Sequence, residues 1–261
     1  MTATAWVAPP EPPVEPARLS SDLVDWLRGR ADPVNVAGMA RYGISTRGTL
    51  GVPIPVLRGI VAELKSLRRA RPEYVHQVAA RLWASGVHEA RLLAGFLDVP
   101  ELVTREQAEA WVSDVDSWDL CDQVVGLFAP TAFGRQLAVE WAGRDETFVK
   151  RAGFVLICSI AVHAKAAPDA ELIAYLALVE RECTDDRNFV KKAVNWALRQ
   201  IGKRSPACHA AAIDTAERIL ARHPGSAAAR WVARDALREL RSDAVVARLA
   251  ARHPASQVLA H

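Results

Sequence analysis

The apolar residues of this chain recur with the spacing of an α-helix almost from end to end, and this pattern constrains the fold more than any other feature. Segments of about ten to twenty residues place apolar side chains three or four positions apart, and prolines or glycines separate the segments. No segment alternates apolar and polar residues as a half-buried strand does. The sequence therefore predicts an all-α chain with short connections, which favours antiparallel neighbouring helices.

Short internal repeats refine this prediction. Residues 148–152 read Phe-Val-Lys-Arg-Ala and residues 189–193 read Phe-Val-Lys-Lys-Ala, and Ala-Arg-His-Pro at 221–224 returns at 251–254. Helical pairs that recur every 30 to 45 residues or so are typical of an α-solenoid of the HEAT or armadillo type, whose inner helices line a concave groove. A compact helical bundle with chance similarities is the alternative.

Composition bounds the domain organisation. The chain has 261 residues, of which 51% are hydrophobic and 24% are charged, as in an ordinary globular protein, and no apolar run reaches the length of a membrane span. Five prolines between residues 9 and 16 predict a disordered Pro-rich tail over residues 1–18, followed by one HEAT-like helical repeat domain over residues 19–261. The four cysteines form no CxxC pair, and each lies in an Ala- or Val-rich helical segment, so we expect buried free thiols. The N-terminal segment does not read as a secretory signal, so we expect a cytoplasmic location.

Charge is distributed unevenly along the chain. Residues 1–145 hold 15 basic and 18 acidic residues, a net charge of −3, whereas residues 146–261 hold 18 basic and 12 acidic residues, a net charge of +6. A basic half is a mild indication of a polyanionic partner.

The segment Asp116-Ser-Trp-Asp-Leu-Cys-Asp122 is the first candidate site. Trp118 and Asp122 are four residues apart, so both project from one helical face, and a carboxylate beside an indole is unusual in a core. A junction Trp with solvated acids near a helix start is the structural alternative. A metal site on Asp116, Asp119 and Asp122 has less support, because no His lies nearby.

Two basic segments are the other candidates. Lys150 and Arg151 are adjacent near a helix start, and a later segment carries Lys192, Trp196 and Arg199 as a stripe on one helical face, with Lys191 next to them in the sequence. Such a stripe suits a phosphate backbone, although Trp196 in a core with solvated cations around it fits the spacing equally well. The residues of this second segment are Lys191, Lys192, Trp196 and Arg199. The sequence shows no zinc-hydrolase, dinucleotide-binding or Walker A motif, so we expect no metal and no cofactor.

Taken together, these segments resemble a known family. Met39-Ala-Arg-Tyr42, the 116–122 segment, Phe148-Val-Lys-Arg-Ala and Lys191-Lys-Ala-Val-Asn-Trp-Ala-Leu-Arg199 occur in the order and at the separations found in the HEAT-like DNA alkylation repair glycosylases of the AlkD family. The resemblance covers roughly residues 20 to 240. It implies an enzyme that acts in base excision repair and excises positively charged N3- and N7-alkylated purines from duplex DNA, without flipping the base into a pocket.

The resemblance also implies roles for individual residues. It places the active-site Trp and Asp on Trp118 and Asp122, the second active-site Trp on Trp196, the groove Arg on Arg151 and a groove-side Tyr on Tyr42. With the neighbouring cations, the predicted DNA-binding set is Arg151, Lys150, Tyr42, Lys191, Lys192 and Arg199. We expect the protein to act as a monomer on DNA.

The implied chemistry is consistent with a carboxylate at the site. An alkylated purine is already cationic and leaves without protonation, so the enzyme has to stabilise the oxocarbenium-like sugar that develops, and Asp122 has the right charge to do so. Two other hypotheses remain at this point: a non-catalytic HEAT-like DNA-binding protein and a helical scaffold for protein interactions.

Overall fold

Proline and short polar side chains mark the starts of many helices in this protein. Pro16, Pro33, Pro72 and Pro206 each lie in the first turn of a helix, where a missing N–H is tolerated. In the computed structural model, which describes residues 5–9 and 15–252, all regular secondary structure is helical. The predicted all-α class is therefore confirmed for the described residues.

The chain divides into two compact units, Met1–Phe133 and Gly134–His261. We call them unit 1 and unit 2 and describe each by itself. The single repeat domain expected over residues 19–261 stays a prediction.

Unit 1 contains eight helices and one 3-10 helix within the described residues. They are α1 (Pro16–Arg28), α2 (Pro33–Ala40), α3 (Ile54–Glu63), α4 (Lys65–Ala70), α5 (Pro72–Ala84), α6 (His88–Leu97), α7 (Arg105–Ser113), α8 (Trp118–Val124) and the 3-10 helix Val125–Phe128. Helix α1 packs on α5, α5 on α6, and α6 on α8. Their apolar faces meet in a core where the rings of Trp83 and Trp111 stack with centroids 4.2 Å apart.

Unit 2 contains eight helices within the described residues. They are α9 (Gly134–Ala142), α10 (Thr147–His163), α11 (Asp169–Ala174), α12 (Leu176–Glu182), α13 (Asn188–Gly202), α14 (Pro206–Arg222), α15 (Ala227–Leu240) and α16 (Asp243–Arg252). Helix α10 packs against α9 and α13, and α13 packs in turn against α15. The contact between α9 and α10 is close enough to require Gly153, because a Cβ there would lie 2.2 Å from the backbone nitrogen of Ala142.

The start of the chain differs from the prediction. Helix α1 begins at Pro16, so residues 16–18 form helix rather than the end of a disordered tail. Residues 5–9 have no regular secondary structure, and Trp6 lines a cavity with Trp26 and Arg30. Residues 1–4 and 10–14, which are half of the predicted tail, lie outside the described residues.

Two further expectations concern the environment of the chain. The four cysteines are free and buried, as predicted. Among the described helices, none combines the length and the apolar character that a transmembrane segment needs.

Candidate functional site

The indole of Trp118 is held in a fixed orientation at the start of α8. Its Nε1–H donates a hydrogen bond of 2.9 Å to the backbone oxygen of Tyr42, 76 residues earlier in the chain. Asp122 lies one turn further along α8, and both side chains are half-buried. The structure therefore brings together three predicted site residues, with the phenol of Tyr42 itself 75% exposed.

The three acidic residues of this segment occupy three different environments. Asp116 is exposed, Asp122 is half-buried and Asp119 is buried. An Oδ2 atom of Asp119 lies 2.9 Å from Nε2 of His88, the first residue of α6. Within residues 5–9 and 15–252, no group of His, Cys, Asp and Glu side chains is arranged to hold a metal ion.

The buried pair of His88 and Asp119 favours its charged form. Burial opposes the charge on His88, but the hydrogen bond and negative charge of Asp119, with the charges of Glu89 and Asp116, outweigh it and raise the pKa of His88. Burial likewise acts to raise the pKa of Asp119, but the hydrogen bond and charge of His88 lower that pKa overall. The contact between His88 and Asp119 joins the first turn of α8, which contains Trp118, to the start of α6.

Glu89 fastens a loop to the same end of α6. Its carboxylate is fully buried and accepts hydrogen bonds from the backbone N–H groups of Leu50, Gly51 and Val52, at 2.8, 2.6 and 3.2 Å. Sequence reasoning missed both His88 and Glu89 as supporting residues. Their partners lie 31 to 39 residues away, so no local spacing could reveal them.

A cavity of about 650 Å³ opens beside Trp118. It is lined mainly by apolar residues of α2 and of the loop that precedes α3, with Met39 and Tyr42 on one side and Trp118 and Asp119 on another. The candidate site of unit 1 is thus an oriented indole beside an apolar cavity, with the carboxylate of Asp122 one helical turn further along α8.

Unit 2 contains the predicted cations, and Lys150 is not on its surface. The residue is only 7% exposed, and its Nζ lies 2.6 Å from Glu182 and 3.6 Å from Asp185. This placement does not fit the predicted contact of Lys150 with DNA, because its charge is already neutralised inside the unit.

Arg151 has a similar position. It is 6% exposed, and its Nη1–H donates a hydrogen bond of 2.6 Å to the backbone oxygen of Phe189, at the start of α13. The side chain therefore joins α10 to α13. Its predicted contact with a DNA phosphate stays a prediction.

The stripe on α13 is only partly available. Lys192 is exposed, and Lys191 and Trp196 are half-buried. Arg199 forms an ion pair with Glu239 of α15 and lies 4.0 Å from Asp235, which does not fit its predicted role as a DNA contact.

Sequence reasoning also missed an aromatic residue on the same side of unit 2. Trp231 of α15 is 39% exposed, and Nζ of Lys191 lies 5.7 Å from the centre of its ring. The adjacent Val232 accepts a hydrogen bond of 2.9 Å through its backbone oxygen from the buried Asn195 of α13. Unit 2 therefore brings Lys191 and Trp231 together, with the exposed Lys192 as the next residue of α13, and a cation beside an aromatic ring is typical of surfaces that bind a nucleic-acid backbone.

Comparison with known proteins gives two findings. The model of the DNA alkylation repair enzyme family matches residues 23–240. A solved structure from a family of proteins related to the HEAT-like repeat DNA glycosylases, with affinity for branched DNA structures, is similar with a TM-score of 0.62 and 16% identity, over 76% of this chain and 81% of that chain. At that identity the likeness concerns the fold, and it confirms the predicted HEAT-like helical fold. No curated protein sequence matches the chain.

Proposed function

Because the chain belongs to the family of DNA alkylation repair enzymes, as its sequence predicts, we propose that it is a DNA glycosylase. Its substrates are purines in duplex DNA that carry a positive charge after alkylation at N3 or N7. The products are the free alkylated base and an abasic site, and the reaction needs neither a metal nor a cofactor.

One observation carries this proposal. A half-buried indole, oriented by the hydrogen bond from Trp118 Nε1 to the backbone oxygen of Tyr42, stands one helical turn from the half-buried carboxylate of Asp122. A protein that only bound the DNA backbone would gain nothing from that carboxylate, because it repels phosphates. The arrangement suits a reaction in which positive charge develops next to it.

In this proposal Asp122 acts at the sugar. An alkylated purine is a good leaving group, so the barrier lies in forming the oxocarbenium-like sugar as the N-glycosyl bond lengthens. The Asp122 carboxylate stabilises that cation and orients the water that attacks C1′. The face of Trp118 contacts the cationic sugar through cation–π attraction worth about 1 kcal/mol. The active-site role that the family resemblance gives to Trp196 stays a prediction.

His88, Asp119 and Glu89 act as positioning residues. All three are buried, and the carboxylate of Asp119, which borders the cavity, is held by His88. They hold the first turn of α8 and the loop at residues 50–52 against the start of α6. A preorganised site of this kind does not have to reorganise when charge develops.

The DNA-contacting surface in this proposal is smaller than the sequence predicts. The residues that contact the strand are Lys191, Lys192 and Trp231 of unit 2 and Tyr42 of unit 1. Arg151 fixes the start of α13 through its hydrogen bond to Phe189, and the exposed part of its guanidinium contacts a phosphate. Lys150 and Arg199 are left out because acidic partners hold their charges.

The test is release of 7-methylguanine from methylated duplex DNA by the wild type and by Asp122→Asn. We expect the wild type to exceed spontaneous depurination clearly and the variant to lose about tenfold or more, which corresponds to about 1.4 kcal/mol or more of barrier. Asp116→Asn is the matched control, since it makes the same change at an exposed acid of the same segment, and it should retain activity within about twofold. Equal losses in the two variants would refute the role of Asp122.

A second candidate is structure-selective DNA binding without base removal. It is favoured by the similar solved structure, whose family is described as having affinity for branched DNA. If the wild type releases no base but binds DNA in a salt-sensitive way, this candidate replaces the glycosylase. Little retention on DNA at low salt would instead favour a scaffold for protein interactions.

A further inference from the structure

Unit 2 contains a second cavity, of about 670 Å³, that the proposed glycosylase reaction does not use. It lies where the C-terminal parts of α10 and α13 meet a turn of α16. Among the described residues, seven line this cavity, of which none is acidic and four are cations: Lys165, Lys203, Arg204 and Arg248. Along α10 it lies about ten residues, or about 15 Å, from Arg151.

Part of this positive charge stabilises the protein itself. The guanidinium of Arg204 donates to the backbone oxygens of Ala161, Ala164 and Lys165, at 3.3, 3.0 and 2.6 Å, and so caps the end of α10. Nζ of Lys203 lies 2.6 Å from Glu239. Cations at helix C-termini are expected, because each end carries about half a negative charge.

The positive charge of these four cations nevertheless exceeds the negative charge of the two helix ends. Two helix C-termini contribute about one negative charge between them. Glu239 contributes one more, which it shares with Arg199. The four cations therefore leave the cavity with a net charge of about two positive units, enough to attract an anion.

Arg248 and Lys165 supply the part of this charge that is free to act on a ligand. Both side chains are exposed, and no ion-pair partner is found for either within the part of the chain that the structure describes. Lys165 donates to the backbone oxygen of Val162, at 2.5 Å. A planar guanidinium and an ammonium group, with the amide of Gln200 in the same lining, offer donors that match the several acceptor oxygens of a phosphate.

We propose that this cavity binds a phosphate group. Two sources have the same chemistry: a backbone phosphate of a nucleic-acid strand, and a free phosphate or a small phosphomonoester. In the first case the cavity is a DNA contact additional to the surface of Lys191, Lys192 and Trp231. A DNA contact at this cavity rests on the part of the proposed function by which the chain binds DNA, and it does not depend on base removal.

The test uses the full chain with both exposed cations neutralised, Lys165→Gln with Arg248→Gln. The matched control is Lys65→Gln with Arg69→Gln, which removes one lysine and one arginine that are exposed on α4 of unit 1. Thermal unfolding of each variant establishes that it is folded. Two measurements follow on the folded proteins, and each addresses one source of phosphate.

The first measurement is the affinity for an unmodified duplex across 50 to 200 mM salt. If the cavity holds a strand, the double variant loses about tenfold in affinity at low salt and its salt slope falls by about one to two, while the control changes by less than about twofold. Failure of base release by the wild type would leave this result unaffected, because the duplex carries no lesion.

The second measurement is the shift in unfolding temperature on adding inorganic phosphate, compared with chloride at the same ionic strength. If the cavity holds a free phosphate, phosphate raises the unfolding temperature of the wild type and of the control but not of the double variant. A double variant that matches the control in both measurements overturns the proposal.

Discussion

The motif Phe-Val-Lys-Arg/Lys-Ala occurs twice in unit 2, and its two copies place their cations in opposite surroundings. In α10, Lys150 and Arg151 are buried. In α13, the corresponding Lys191 is half-buried and Lys192 is exposed. Both copies lie near the start of a helix, so local sequence and secondary structure do not explain the difference.

The difference comes from what each helix packs against. The end of α12 and the loop before α13 supply Glu182 and Asp185 to Lys150, and Arg151 binds the backbone oxygen of Phe189 within the second copy itself. Lys191 instead faces the ring of Trp231. The first copy therefore holds the second in place, and the second is left available for a ligand.

The largest expected effect separates the two copies by stability. Lys150→Met removes the buried cation between Glu182 and Asp185, which keep Arg181 and Arg187 as partners, and we expect it to lower the free energy of unfolding by about 2 kcal/mol. Lys191→Met is the matched control and should change it by less than about 1 kcal/mol, because only a cation–π contact is lost. Urea unfolding of both variants measures this, and similar losses would show that the copies do not differ.

A smaller effect tests whether the second copy of the motif binds DNA. Lys192→Gln should reduce the salt slope of duplex binding by about one and weaken binding severalfold at low salt, because an exposed cation is removed from the proposed surface. Arg69→Gln, an exposed cation of α4, is the control and should leave the slope unchanged. The proposed surface is wrong if both variants change the slope equally. Fluorescence anisotropy across a salt series makes the measurement.

The smallest effect concerns how the free energy of unfolding falls at acidic pH. Burial acts to raise the pKa of Asp185, but the hydrogen bonds and charge of Arg187, with the charge of Lys150, lower that pKa overall. A lowered pKa in the folded state means that Asp185 stabilises the protein above its usual pKa and that this contribution is lost as the pH falls through the lowered value. Asp185→Asn should therefore flatten the loss of stability below about pH 4.

The neighbouring exposed acid provides the control for this measurement. Asp186→Asn makes the same change one residue later, at an exposed position. Unfolding free energies between pH 2.5 and 6 should keep their acid slope in this variant. An equally flattened slope would mean that general charge repulsion, and not the contacts of Asp185, controls the loss of stability at acidic pH.

The spacing of apolar residues predicts where helices occur better than it predicts where one helix breaks and the next begins. The segment that begins at Pro72 is a helix from its first residue, as the proline indicates. The apolar residues at positions 56, 57, 60, 61, 64 and 67 have the spacing of one helix over residues 55–70. The structure instead ends α3 at Glu63 and begins α4 at Lys65. Leu64 between them is still buried, so the apolar pattern continues across the break and cannot reveal it.

The site was predictable to the extent that it is local. Trp118 and Asp122 share one helix, so their spacing alone places them together. The supports of that helix, His88 and Glu89, depend on contacts between distant segments and were missed for that reason. The same limit explains Lys150, whose acidic partner lies 32 residues later in the chain.

The bond that orients Trp118 has a consequence for how this site can change. Its acceptor is the main-chain oxygen of residue 42, whereas the phenol of Tyr42 is turned to solvent. The bond does not depend on which side chain residue 42 carries. The side chain at position 42 can therefore be changed, by selection or by design, to alter what the protein recognises, while the indole of Trp118 keeps its orientation.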